Sequence, residues 1–377
     1  MKIVVACDSF KGCMTSKEAN EAIKRGILKS NDKHTVICIP MADGGEGTAH
    51  VLGECLKAQK RTVLTLDAYG KKVQASYYIT QDQVAIMDVA SCIGLSMVEK
   101  ALRNPFVVNS RGVGILMKDA IAQGCKQLII GLGGSSTNDG GMGILQEFGV
   151  EFYNAHMHVL KANPYGLKQM TYINKKKFKK PEVDILLACD VNIHLLGENG
   201  TTYFFGKQKG FYHSQMKEVD SWMKNYSDCI NRTFHVDMNS FESGGCAGGI
   251  GACLMAVFGA KHFSGAQLVA QKSNLKEEIE NCDLVITGEG QTDRQTEYGK
   301  VPFEVLQIAN ACKKPVICLS GALGIGYQKL YDYGMAGIFS GSDRAMTFQA
   351  AIEQAEEKME NCAYSIIHLI DTIKGDL

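Results

Sequence analysis

Net charge is missing from this sequence: 40 basic side chains are cancelled by 40 acidic ones in 377 residues. A nucleic-acid partner is therefore not expected, since proteins that grip phosphodiester chains gather excess positive charge on one face. The nearest approach to a basic patch, KKKFKK at residues 175–180, reads as a solvated loop. An anchoring or export segment is not expected either. MKIVVACDSFKG has an apolar run of only five residues before Asp8, too short for a secretion signal and far too short to span a bilayer. No C-x-x-C pair or regular framework organises the 14 cysteines. Many lie in apolar runs, such as Cys38 in TVICIP and Cys318 in PVICLS, where a reduced thiol acts as a small hydrophobe. A cytoplasmic protein without membrane contact is expected. The nucleotide signatures G-x-x-x-x-G-K-[ST] and the protein-kinase set are absent, and no G-x-G-x-x-G follows the first strand. P-loop proteins, protein kinases and Rossmann dehydrogenases are thereby excluded.

What is present is an alternation of short apolar runs and glycine-rich bends. The length favours two domains, and 45% hydrophobic with 21% charged residues is ordinary for a soluble globular chain. KIVVA reads as a buried strand, and Thr15 with Glu18 has capping-box spacing at the start of a helix. HTVICIP, MADGGEG and TAHVLGECLKA repeat the strand–loop–helix pattern, which predicts a parallel sheet covered on both faces. From about Arg61 the texture becomes a meander, with a turn at Tyr69–Gly70. The first texture returns in CDLVITGEG and KPVICLSGAL. An α/β protein follows, with a discontinuous first domain from residues 1–60 and 282–377 and an inserted mixed α/β domain over 61–281.

In open parallel sheets ligands gather at the carboxyl ends of strands. The loops there are DSFKG, MADGGEG, GLGGSSTNDGG, CDV and TGEGQTDRQT. Glycines let backbone N–H groups approach an anion, and the hydroxyl and amide groups of Ser135, Ser136, Thr137 and Asn138 add donors. Asp8, Asp43, Glu46, Asp139, Asp190, Glu289 and Asp293 would repel phosphate unless a cation such as Mg²⁺ intervenes. Phosphate donors, a metal and a carboxylate base are the parts of phosphoryl transfer, with Lys11 neutralising charge. Physical reading stops at a phosphate-binding α/β enzyme.

A resemblance carries it further. DSFKG, PMADGGEGT, GGSSTNDGGMG, ACDV, FGKQKG and LVITGEGQTDRQTEYGKVP occur in the order found in type I bacterial glycerate 2-kinases, across essentially the whole chain. The chain departs from that family's pattern at Cys7, at 192–194, at Lys207 and around Cys246. The resemblance implies two α/β domains, the discontinuous one flavodoxin-like. It also implies transfer of the γ-phosphoryl group of ATP to D-glycerate with Mg²⁺, in most members giving 2-phosphoglycerate. On this basis Asp190 is the expected base, and Lys11 with Ser9 is expected to hold the phosphoryl group or the glycerate carboxylate. Gly133, Gly134, Ser135, Ser136, Thr137, Asn138 and Gly288 are assigned to phosphate or nucleotide, and Arg111 and Asp8 to substrate. Asp43, Glu46 and Asp293 are the expected Mg²⁺ ligands. A kinase for another small hydroxy acid and a non-catalytic metabolite sensor stay open as alternatives, as does homo-oligomerisation.

Overall fold

The computed structural model describes residues 1–375. Its two main sheets use eleven strands: β1 (Lys2–Cys7), β2 (Thr35–Cys38), β3 (Gln59–Leu66), β4 (Lys72–Ile79), β5 (Val84–Asp88), β6 (Gln127–Gly131), β7 (Asp184–Ala188), β8 (Lys261–Phe263), β9 (Leu284–Gly288), β10 (Val316–Ser320) and β11 (Gly337–Ser340). The chain divides into two compact units, Met1–Asp43 with Ser264–Leu377, and Gly44–Phe263.

The first unit holds a five-stranded, wholly parallel sheet in the order β11-β10-β9-β1-β2. Counted within the unit this is the flavodoxin-like order, with its switch point between β1 and β9. Strands β9 and β10 are buried at every position, as expected of a parallel sheet with both faces covered. The helix Ser16–Ser30 starts at the Thr15 cap, with the reciprocal Glu18 bond in place. It packs against the terminal helix Ala355–Lys374, and Ile23, Ile27, Ile366 and Ile367 join Ile3, Val5 and Ile286 in one core.

The second unit is a six-stranded mixed sheet, β8-β7-β6-β5-β4-β3. β3, β4 and β5 form the antiparallel meander; β5, β6, β7 and β8 run parallel. The unit boundaries fall earlier than the sequence pattern predicts, at 43/44 and 263/264 rather than 60/61 and 281/282. The helix Thr48–Cys55 reads as the cover of β2, but it lies on β4 and β5, where the Asp88 carboxylate accepts from Gly47 N–H and Ala49 N–H. The helices Gly265–Lys272 and Leu275–Glu280 pack instead against Val301–Ala311 of the first unit.

A buried polar pair ties the terminal helix to the residue that precedes β2: His34 Nε2 lies 2.8 Å from Asp371 Oδ2. Replacing His34 by alanine strands a buried carboxylate, so His34→Ala is expected to lose about 3 kcal/mol. Urea unfolding of variant and parent checks it; a loss under half that size would mean that Asp371 finds another partner.

Candidate active site

In the flavodoxin-like unit the loops leaving β1 and β9 meet at the switch point. Asp8, Ser9, Lys11, Asp43, Glu289 and Lys300 line one cavity of about 400 Å³. Lys11 Nζ donates to Asp43 Oδ2 at 2.6 Å. Asp8 is buried and accepts from Ser9 N–H at 2.7 Å. Burial pushes its carboxyl well above the usual range, and the charges of Asp43 and Glu289 push it the same way. Glu289 is raised by burial as well, although Thr292, Thr296 and Lys300 all donate to it. Gly288 sits at the end of β9 for reasons of packing: a Cβ there would lie 1.9 Å from the Leu319 carbonyl oxygen of β10.

Asp293 is engaged within its own loop, its Oδ1 accepting from Gln295 N–H at 2.8 Å and lying 4.0 Å from Lys300 Nζ, and its Oδ2 accepting from Gln291 Nε2 at 3.3 Å. Glu46 belongs to the other unit, where it accepts from Ser96 Oγ at 3.2 Å. Among the described residues no three His, Cys, Asp or Glu side chains close into a metal cage. Crowded carboxylates in one cavity still fit Mg²⁺, which takes one or two protein oxygens and completes its shell with phosphate and water.

In the mixed unit the loops leaving β6 and β7 are neighbours. Gly133 N–H and Ser136 N–H already donate, to the carbonyls of Gly44 and Ile93. The helix that follows, Met142–Glu147, has its amino end taken by Asp139, which accepts from Ser110 N–H and Oγ, Gly141 N–H and Gly143 N–H. The loop therefore offers side chains more than backbone. Asn138 Nδ2 donates to Thr202 Oγ1, whereas Thr137 Oγ1, Asn138 Oδ1 and Thr201 Oγ1 are buried with no hydrogen-bond partner among the described residues. Asp190 follows β7 and is half-buried. Beside it, Cys189 Sγ and Cys246 Sγ are 2.7 Å apart; that contact, burial and the Asp190 charge together push the Cys246 thiol up. The 192–194 segment is held through Gly245 N–H on the Ile193 carbonyl. Arg111 is engaged elsewhere, with its Nε 2.7 Å from Glu147 Oε1.

One residue here escapes sequence reasoning. Lys209, at the end of the helix Thr201–Lys209, turns inward and donates to the Thr137 carbonyl at 2.6 Å and toward Ser135 Oγ at 3.4 Å. The exposed Lys207 draws attention as a family departure, while the buried lysine two residues on carries the contact. Only its place between Gln208 and Gly210 in FGKQKG could have marked it.

A flavodoxin-like sheet with charged side chains at its switch point, and a second sheet with hydroxyl-rich strand ends, define a two-part α/β enzyme scaffold for a polar anionic ligand. The glycerate kinase family model matches residues 3–371. The chain is 36% identical to a glycerate kinase of Halalkalibacterium halodurans, covering 97% of each. It is also 36% identical to the glycerate 2-kinase of Escherichia coli K12, over 90% of each. The crystal structure of a candidate glycerate kinase 2 from Salmonella typhimurium LT2 matches with a TM-score of 0.85 and 33% identity, covering 100% of this chain and 99% of that one. The chain belongs to the glycerate kinase family. No helix among the described residues is long and apolar enough to cross a membrane.

Burial lowers the Lys209 ammonium from 10.5 to about 7, against the opposing charge of Asp139. Between those values the unfolded chain binds the proton and the folded chain does not, so this lysine makes stability rise with pH. The rise approaches about 1.4 kcal/mol per pH unit. Lys209→Met is expected to lack it, so urea unfolding between pH 7 and 9 should show parent and variant diverging. Parallel pH profiles would return Lys209 to an ordinary pKa.

Proposed function

We propose that the protein transfers the γ-phosphoryl group of ATP to D-glycerate, giving 2-phosphoglycerate and ADP. The observation that carries this reading is full-length similarity to relatives named glycerate kinase, in a chain that keeps Lys11, Asp43 and Asp190 at strand ends. The glycerate 2-hydroxyl oxygen forms the new bond to the γ-phosphorus as the bond to the β,γ-bridging oxygen breaks, and ADP leaves. Asp190 accepts the hydroxyl proton. Phosphoryl transfer asks mainly for positioning, so a carboxylate placed at the hydroxyl suffices.

The remaining roles follow from what each group can donate or accept. Lys11 and Ser9 hold the phosphoryl oxygens. Thr137, Asn138 and Thr201 combine hydroxyl donors with an amide acceptor, a set suited to the hydroxyls of a small polyol acid. Lys209 braces their loop through the Thr137 carbonyl. Asp43 and Asp8 are the residues that would hold Mg²⁺, which when bound offsets charge on the β- and γ-phosphates.

Asp190→Asn keeps the shape and removes the base. It is expected to lower kcat by roughly 10²–10⁴-fold with nucleotide affinity nearly intact. A coupled ADP-release assay measures this, and phosphorus NMR of the parent's product should show the phosphate on the 2-oxygen. Normal turnover in the variant would move the base to Glu289 or Asp293; a 3-phosphate resonance would overturn the regiochemistry. Turnover only with a longer hydroxy acid would overturn glycerate as the acceptor.

A further inference from the structure

The cavity at the switch point has lining of two unlike kinds. One is charged, with Asp8, Lys11, Asp43, Glu289 and Lys300. The other is apolar, walled by Phe10, Met346, Ile352 and Met359 together with Ala351 and Ala355. Glycerate has a polar group on each of its three carbons, so it can satisfy the charged lining but leaves the apolar wall uncovered. A cavity of about 400 Å³ also lies within the range for ligands far larger than a three-carbon acid. A purine nucleotide matches both kinds at once, with a flat apolar base joined to an anionic chain.

We infer that this cavity of the flavodoxin-like unit receives the nucleotide, its base against Met346, Ile352 and Met359 and its phosphates toward Lys11 and Lys300. The inference rests on the kinase reading above and moves the nucleotide away from residues 133–138, where the sequence pattern first puts it. Four observations support it. The cavity lies outside the carboxyl ends of β1 and β9, where doubly wound sheets hold ligands. Thioether sulfurs of two methionines suit the faces of an aromatic ring. Lys358 adds a polar group to the lining; its ammonium is buried on Asp343, 2.6 Å from both carboxylate oxygens, and keeps a third N–H for a base or ribose acceptor. In the loop at 133–138, finally, the helix amino end that would attract phosphate is occupied by Asp139.

The three acids of the charged lining are compatible with this occupant because a phosphate chain arrives with its divalent cation. Asp8, Asp43 and Glu289 line the same cavity, and a metal–phosphate complex offsets their charge where a bare anion would add to it. Lys11 and Lys300 are held by Asp43 and Glu289 and can each donate further bonds to phosphate oxygens.

The test combines titration and labelling on the full chain. Ala351→Trp fills the space at the apolar lining from an edge position outside the core. It is expected to raise the Kd of MgADP at least tenfold in isothermal titration while leaving the KM for glycerate within twofold. Photolysis with 2-azido-ADP on the parent protein, which needs no variant to fold, is expected to label the segment from Ser342 to Met359. MgADP binding unchanged in Ala351→Trp, or label recovered on residues 133–138, overturns the inference and leaves the kinase reading standing. A parent that binds no MgADP and forms no phosphoglycerate overturns both.

Discussion

Backbone lying against backbone at the carboxyl ends of the strands is the constraint on which both sites depend. Gly288 lets β9 and β10 end side by side, with the Leu319 carbonyl where a side chain would begin. In the mixed unit Gly248 plays the same part for a loop: a Cβ there would lie 2.0 Å from the Thr137 carbonyl oxygen. Gly248 belongs to the GGCAGG stretch at residues 244–249. It presses the 137–138 backbone into place, and Lys209 holds the same carbonyl from another side. A side chain in either position would spread the loops before it altered any chemistry.

Charge in the flavodoxin-like unit is arranged as a second constraint. Lys11 is held by Asp43 and Lys300 by Glu289, while Asp8 accepts from Ser9 N–H and is raised well above the usual carboxylate range by burial and by the charges of Asp43 and Glu289. Exposed pairs such as Lys11 with Asp43 contribute little to stability. Their value is that they exchange partners at small cost when a phosphate and a metal compete for them. The buried hydrogen-bonded acids, Asp139 above all, are of the other kind, fixed by four donors and committed to the fold.

The sequence made much of this readable, for one reason. In a parallel sheet every strand ends toward the same side, so residues placed just after apolar runs must congregate. Asp8, Lys11, Asp43 and Glu289 follow β1, β2 and β9, and their gathering needs no knowledge of side-chain packing. Lys209, Lys300 and Lys358 were not readable, because a lysine on or before a helix is ordinarily solvated and only tertiary packing turns it inward. Arg111 shows the reverse: its fork was visible, but Glu147 on the adjacent helix was not. The same ignorance of packing displaced the unit boundary, since the apolar stripe of Thr48–Cys55 looks alike whichever sheet it covers.

A discontinuous unit sets one further demand. β1 and β2 come from the first 43 residues, and β1 must pair with β9, Ile3 with Leu284, so the sheet is closed by contacts of very high sequence separation. Such closure costs chain entropy that grows only slowly with loop length. The inserted unit, with its own core from Tyr77, Leu116, Ile130 and Tyr226, shortens the effective loop by bringing in a folded body rather than a free chain. Asp43 stands at the exit of the first segment and is also the partner of Lys11. The residue that ends the first segment is therefore held at the switch point, and one side chain links the geometry of that exit to the charge of the cavity.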